Sequence, residues 1–229
     1  LPSLFLSCCS TTSDMKSFII NSVLLVALCV LIGHVSGDSA LNYQWSVNGV
    51  YTDRDQISHD ASGQEKRALA VITLQPVSVS LLPGRTTFFE QKWNEKVRRR
   101  ELWNIIQDQT STDNRVKIDV YNFTNSVSPD FDVNAAVAAL TPADLHADPS
   151  CTATFTELPE GSFTGSKIDC RDSANGVHPA FNGLATCNTI ILNIPISASE
   201  TTTTIPYTFT RDGSRFAVQD VPDGYQFPC

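Results

Sequence analysis

The hydrophobic pattern of this chain is dominated by alternation, with apolar and polar positions exchanging every second residue in several short stretches. Val116, Ile118 and Val120 form one such series, with a polar or amphipathic residue between each pair. Because successive side chains of a strand point to opposite faces, this period is typical of half-buried β-strands. Alternating or β-branched runs predict strands within residues 71–81, 86–91, 116–121, 151–156, 187–196 and 205–210.

Short turn sequences separate the predicted strands. Residues 83–85 read Pro-Gly-Arg, and residues 211–214 read Arg-Asp-Gly-Ser ahead of Phe216 and Val218. Such residues favour hairpin connections. Many short strands joined in this way predict an all-β domain, either an antiparallel sheet closed as a barrel or two sheets packed as a sandwich.

Two short segments favour helix instead. Residues 134–140 are rich in alanine, which has the highest helix propensity. Residues 141–145 begin with Thr141, a capping residue, followed by Pro142 at the first helical position. One or two short helices are therefore expected to interrupt the strands.

The pattern of residues 92–107 is ambiguous. Trp93 and Val97 lie four positions apart, and Trp103 and Ile106 lie three apart, which is helical spacing. A strand over residues 101–107 is the alternative. The residues alone leave both open.

An apolar run near the start of the chain predicts secretion. Residues 18–32 are almost wholly apolar, follow Met15 and Lys16, and end at the small residues 35–37. This pattern is that of a secretory signal peptide over residues 15–37. A transmembrane anchor is the alternative, but the run is shorter than the roughly 20 residues that a span needs.

The signal peptide divides the chain into three parts. Residues 1–14 are expected to be a translated leader, and residues 38–229 the mature, extracellular domain. No membrane partner is expected after cleavage.

Composition and charge limit the function. The chain has 229 residues, of which 41% are hydrophobic, and this suits one globular domain with its own core. Its formal net charge is −8. An acidic chain without a basic face has no electrostatic reason to bind nucleic acid, so no nucleic-acid partner is expected.

Four cysteines remain in the mature part of the chain: Cys151, Cys170, Cys187 and Cys229. In an oxidising compartment an even number of cysteines predicts disulfides, here two, with three possible pairings. None of them has the spacing of a metal site, so no metal is expected.

Asn122, Phe123 and Thr124 form an N-glycosylation sequon. Modification of Asn122 is one interpretation, and an unused sequon within a strand is the other.

The sequence offers no conventional catalytic signature. There is no Gly-x-Ser-x-Gly motif, and no histidine has an evident serine or aspartate partner, which disfavours a catalytic triad.

Several weak motifs occur together and in order between residues 45 and 227. They are Tyr51 and Gln56 near the start, an aromatic-x-Glu-Gln strand at residues 88–91, a basic run at residues 98–100, Cys151, residues 163–170 with Phe-x-Gly and Cys, and Asp-Gly-Tyr-Gln-Phe at residues 223–227. In this combination the chain resembles the CpcT/CpeT chromophore lyase family, the T-type phycobiliprotein lyases. The basic run lacks the aromatic residue that usually precedes it in the family.

The resemblance implies a single lipocalin-like antiparallel β-barrel with an open-chain tetrapyrrole, a bilin, in its mouth. It also implies that residues 101–107 form a strand. Family members deliver the bilin to a cysteine of an acceptor protein and act mainly by positioning it. A bilin is thus the expected ligand, an acceptor protein the possible partner, and no cofactor is required. Cys151 and Cys170 match the family's cysteines, which leaves Cys187 to pair with Cys229.

The ligand-binding residues implied by the resemblance are Glu90, Gln91, Arg98, Arg100, Tyr51 and Gln56. Arg98 and Arg100 would bind the propionates, because guanidinium binds carboxylate with two parallel hydrogen bonds. Glu90 and Gln91 are adjacent on a strand, so only one can face the interior. The resemblance favours Glu90 as the inward residue, accepting hydrogen bonds from pyrrole N–H groups.

Simpler interpretations stand beside these. The basic run would also suit a solvated edge, Tyr51 a buried aromatic and Gln56 a turn residue. At the level of function, the alternatives are a secreted carrier of another small apolar ligand and a structural extracellular protein with a filled barrel.

Overall fold

The structure, a computed structural model, describes residues 38–59, 68–123, 132–147, 151–167, 181–193 and 206–229. The predicted leader and signal peptide, Cys170 and Thr124 lie outside the described residues.

Eleven strands and five short helices make up the described chain. The strands are β1 Gly49–Thr52, β2 Ala70–Val77, β3 Arg85–Trp93, β4 Lys96–Gln107, β5 Arg115–Phe123, β6 Leu145–Ala147, β7 Ala153–Leu158, β8 Ser162–Lys167, β9 Phe181–Ala185, β10 Thr189–Asn193 and β11 Tyr207–Asp212. The α-helices are α1 Ser39–Ser46, α2 Arg54–His59 and α3 Val133–Ala138, and the 3₁₀-helices are η1 Pro142–Asp144 and η2 Pro159–Gly161.

The strands close into a barrel. Their order is β4-β3-β2-β1-β11-β10-β9-β8-β7-β5, and β5 pairs with β4 to complete a ring of ten antiparallel strands. The short strand β6 adds to β5 outside the ring. The prediction of an all-β, lipocalin-like antiparallel barrel is therefore confirmed. The helical alternative for residues 92–107 is wrong, because the stretch forms the end of β3, a two-residue turn and β4, and the two strands pair with each other.

The barrel interior is apolar and rich in aromatic residues. Buried side chains from all ten ring strands form one cluster, and Tyr51, Phe163 and Phe209 are among its largest members, each at most 2% exposed. The alternating sequence pattern explains this cluster, because alternate residues of each strand point inward.

A helix closes one end of the barrel. Asp38 caps α1 by accepting a hydrogen bond from the backbone N–H of Leu41. The ring of Tyr43 lies 5.0 Å from that of Phe163, inside the barrel. The buried amide of Gln44 donates to the carbonyl oxygen of Thr86 at the start of β3. We call this the closed end, and the opposite end the mouth.

The last residues of the chain, 213–229, form a strap across the closed end. The ring of Phe227 stacks on that of Trp45 at 3.9 Å. The side-chain amide of Asn48 exchanges hydrogen bonds with the backbone of Phe216. A disulfide joins Cys187 to Cys229, which confirms the predicted pairing. Cys151 is disulfide-bonded as well, and its predicted partner Cys170 lies outside the described residues.

The predicted helices are present outside the ring. Val137 of α3 packs with Phe88 and Leu102 in a second apolar cluster on the outer face of β3 and β4. At η1, the backbone N–H and the hydroxyl of Thr141 both donate to the Asp144 carboxylate, and these bonds lower the pKa of Asp144. No described helix is long and apolar enough to cross a bilayer.

Candidate ligand site at the mouth of the barrel

Strand register decides which side chains reach the mouth. On β3, Phe89 belongs to the inner core, and Gln91 therefore shares its inward face. On β4, Glu101 lies opposite Phe89 and Arg99 lies opposite Gln91, so both face inward too. We use the term mouth layer for eight inward residues toward the end opposite α1, namely Gln91, Arg99, Glu101, Asn122, Lys167, Phe181, Leu192 and Tyr207.

Glu101 is the most buried charged group of this layer, at 1% exposure. Its Oε1 lies 3.3 Å from Nε of Arg99, and its Oε2 accepts a hydrogen bond of 3.0 Å from the indole N–H of Trp103. The Trp103 ring in turn stacks on Phe89, with centroids 4.8 Å apart. A buried carboxylate is tolerated only when it is paired and hydrogen-bonded; here Arg99 supplies the ion pair and the Trp103 indole supplies the hydrogen bond.

Lys167 supplies a second inward cation from β8. The residue is only 5% exposed, and its ammonium lies 5.4 Å from the centroid of the Phe181 ring, in cation–π contact. Phe181, Leu192 and Tyr207 pack against the inner core beside it. The mouth layer thus combines two cations, one carboxylate and two amides with an apolar and aromatic floor.

Asn122 of the sequon belongs to the same layer. It lies opposite Glu101 on β5 and follows the inward alternation of Ile118 and Val120. A glycan on Asn122 would therefore have to leave the barrel through the mouth. Modification of Asn122 stays a prediction.

The structure corrects the predicted orientation of Glu90, because Glu90 faces outward. Its carboxylate accepts a hydrogen bond of 2.7 Å from Nε of Arg100 and lies 2.8 Å from Nζ of Lys92. Burial alone would raise the pKa of Glu90, but the hydrogen bonds and positive charges of Lys92 and Arg100 hold it below its usual value. Arg100 is therefore committed to an ion pair outside the barrel.

Arg98 lies neither in the barrel interior nor in the outer ion pair. A β-bulge between β3 and β4 leaves it without a cross-strand partner. Its guanidinium lies 5.6 Å from the centroid of the Trp93 ring, at the exposed end of the hairpin. Of the three consecutive arginines, only Arg99 points into the barrel.

Tyr51 and Gln56 have mainly structural contacts. Tyr51 is fully buried in the core and donates a hydrogen bond to the carbonyl oxygen of Ser46. Burial raises the pKa of Tyr51 to about 12, against a lowering by Arg211 and Arg215. Gln56 of α2 donates to the Pro206 carbonyl and accepts from the backbone N–H of Thr208, which fixes α2 to β11. Tyr51 is thus the buried aromatic of the simpler interpretation, whereas Gln56 lies in helix α2 and not in the turn which that interpretation expected.

Sequence reasoning missed Arg99, Glu101, Trp103 and Lys167 as site residues. The positions of Arg99 and Glu101 depend on which of two neighbouring apolar residues, Phe88 or Phe89, faces the barrel interior. With Phe89 inside, Gln91 on the same strand and Arg99 and Glu101 opposite them on β4 face the interior as well. The residues alone could not make that choice. Lys167 carried no signal, since a single lysine in a polar stretch reads as exposed.

A groove of about 460 Å³ lies elsewhere, beside the closed end. It is bordered by α1, residues 76–86, the end of β4, and Gln219 and Asp220 of the strap. Arg85 spans part of it by bonding to Asp38 and to the strap carbonyls of Gln219 and Asp220. This groove is remote from the mouth layer.

Among the described residues, no cluster of potential metal ligands is found.

Comparison with known proteins gives a likeness in fold. No protein-family model matches the chain, and no curated protein matches it in sequence. Among solved structures, the selenomethionine form of the CRL protein of Arabidopsis is similar, with a TM-score of 0.52 and 15% sequence identity. The likeness covers 76% of this chain and 98% of that chain. At this identity it concerns the fold alone.

Proposed function

We propose that this chain is a secreted protein that binds a bilin at the mouth of its barrel, as do the CpcT/CpeT chromophore lyases whose ordered short motifs it resembles. The observation that carries the proposal is the presence of two inward cations, Arg99 and Lys167, above an apolar and aromatic floor. A bilin is long, flat and apolar and bears two carboxylates, so it needs both kinds of surface. Ligand sites commonly combine apolar walls with a few placed polar groups.

Arg99 and Glu101 offer complementary groups to such a ligand. A propionate would share the Arg99 guanidinium with Glu101, because the guanidinium presents five donors in a planar fork. The Glu101 carboxylate would accept hydrogen bonds from pyrrole N–H groups. The roles that the family resemblance assigned to Arg98, Arg100 and Glu90 thus pass to neighbours that face the interior.

Delivery of the bilin to another protein would depend on positioning. In the lyase reaction the nucleophile is a cysteine of the acceptor, and the lyase holds the bilin where that thiol can attack. The barrel shared with the CRL protein supports the architecture of the proposal.

An absorbance titration of the secreted protein with biliverdin tests the proposal. We expect a sharpened, red-shifted long-wavelength band that saturates at about one bilin per chain. Arg99→Gln should weaken binding roughly tenfold or more, because a hydrogen bond to a charged group contributes about 1.5–3 kcal/mol. Biliverdin dimethyl ester should bind wild type more weakly, and its affinity should not respond to Arg99→Gln.

Two control variants separate this site from the basic run as a whole. Arg100→Gln removes the neighbouring outward cation, and Lys96→Gln removes an exposed cation of the same hairpin. Both should bind biliverdin like wild type. If Arg100→Gln lost binding while Arg99→Gln kept it, the assignment of the inner face would be wrong.

The same titration also distinguishes the two alternative functions, a carrier of another apolar ligand and a structural protein. A flat titration with biliverdin and a phycobilin, together with saturable binding of a fluorescent fatty acid, would favour an apolar-ligand carrier. No binding of either class would favour a structural protein with a filled barrel.

A further inference from the structure

The hairpin between β3 and β4 ends in a compact tip, residues 92–98. Trp93 pairs with Lys96, and the two residues between them, Asn94 and Glu95, have φ values of 47° and 67°. Two consecutive positive φ angles are those of a type I′ turn, whose twist matches the flanking strands. The tip is thus a regular two-residue turn that projects beside the mouth, since Trp93 lies two residues beyond Gln91 on β3.

The tip exposes apolar surface. Trp93 is 40% exposed and Val97 is 38% exposed. They are two of the four large apolar residues that are exposed in the described chain, the others being Leu81 and Leu158 near the closed end. Two such residues within five positions are therefore a local feature of the tip.

The tip is also basic. Residues 92–98 contain three cations, Lys92, Lys96 and Arg98, against one acid, Glu95. Lys92 pairs with Glu90, whereas Lys96 and Arg98 have no carboxylate partner among the described residues. In a chain of net charge −8, this is a positive surface beside a ligand site.

We propose that the tip docks on an anionic lipid surface. Indole rings favour the headgroup level of a bilayer, and lysine and arginine are attracted to anionic headgroups. A stable protein partner would need an interface of roughly 1,000 Å² or more, which seven residues of a narrow hairpin do not present. A bilayer surface, in contrast, can be contacted by a few aromatic and cationic side chains without a large, shape-matched interface.

The contact would be peripheral, weak and reversible, because it involves few side chains. It replaces the expectation that no membrane partner is involved after cleavage. It is compatible with the finding that no described helix could cross a bilayer, since the tip does not enter the hydrocarbon core. Docking by the tip would bring the mouth close to the lipid surface. The proposal is independent of the bilin, and its test uses the protein without ligand.

Vesicle co-sedimentation of the secreted protein tests the docking. Vesicles of phosphatidylcholine are compared with vesicles in which about a third of the lipid is phosphatidylglycerol, at about 0.1 M salt, where the screening length is about 10 Å. At this screening length, acidic residues that lie much more than about 10 Å from the lipid surface repel it only weakly. We expect several-fold more protein to pellet with the anionic vesicles, and less at about 0.5 M salt.

Three variants assign the effect to the tip. Trp93→Ala, and Lys96→Glu combined with Arg98→Glu, should each reduce the pelleted fraction to that seen with neutral vesicles. Leu81→Ala removes an equally exposed apolar residue in the loop before β3, near the closed end, and should pellet like wild type. Equal pelleting with both vesicle types, or wild-type pelleting of Trp93→Ala, would overturn the proposal.

Discussion

At the scale of single residues, the face of the sheet to which a side chain points decides its role in the β3–β4 hairpin more than its residue type does. Glu90 and Gln91 are neighbours, yet one pairs with Arg100 outside the barrel and the other faces the interior. The same alternation separates Arg100 from Arg99. A shift of one position would exchange the two faces completely, because the side-chain period of a strand is two.

Replacement of Glu90 tests the outer ion pair. Glu90→Gln should lower the free energy of unfolding at pH 7 by about 1–3 kcal/mol, since it removes charged hydrogen bonds from a largely buried pair. The pKa of Glu90 is lowered by folding. The stabilisation is therefore complete above the unfolded pKa of about 4.3 and is lost as the pH falls through the lower, folded pKa.

Urea unfolding of wild type and Glu90→Gln across this pH range measures the effect. The difference between the two proteins should shrink below about pH 4. Asp113→Asn serves as the control, because Asp113 is exposed and its ion pair with Arg115 is worth at most about 1 kcal/mol. A difference for Glu90→Gln that did not change with pH would contradict an ionised Glu90 as its source.

At the scale of elements, tertiary pairing overrides local pattern. Residues 92–107 show helical spacing of their aromatic and aliphatic residues, but they form strands because β4 gains partners on both sides, β3 and β5. Helix α1 is held at the closed end by hydrogen bonds and by apolar packing together. Its buried Ser39 and Asn42 both donate to the carboxylate of Glu157 on β7, and its Tyr43 packs among the rings inside the barrel.

The strap gives a prediction about the Cys187–Cys229 disulfide. Replacing both cysteines by serine should lower stability by about 2–4 kcal/mol, because the bond closes a long loop in the unfolded chain. For a chain of this size the melting temperature should fall by roughly 5–15 °C. Calorimetry without reductant measures it.

Reductant provides the control for that experiment. It should lower the melting temperature of wild type, and should have a smaller effect on the double serine variant, in which Cys151 is the one described cysteine that still forms a disulfide. An unchanged melting temperature in the double variant would show that the noncovalent contacts of Trp45 and Phe227 suffice to hold the strap.

At the scale of the whole molecule, the compact barrel unit begins at Asp38, whose side chain caps α1 and pairs with Arg85. Cleavage of the predicted signal peptide should leave a mature N-terminus within a few residues of this cap. Amino-terminal sequencing of protein collected from the medium of a secreting host measures it. Protein that stayed with the membrane fraction and kept residues 15–37 would contradict the secretory interpretation.

The sequence by itself determined the class of fold, because alternation with a period of two is a local property that survives without knowledge of partners. It also marked the turn between β2 and β3 and the alanine-rich helix α3. The turn predicted at residues 211–214 ends β11 but leads into the strap and not into another strand. Only the tertiary structure decided which of two alternating faces became the interior. Ring closure through β4 and β5 places Phe89 inside, and with it Gln91, Arg99 and Glu101. That choice depends on the register between strands far apart in the chain, which no local pattern encodes.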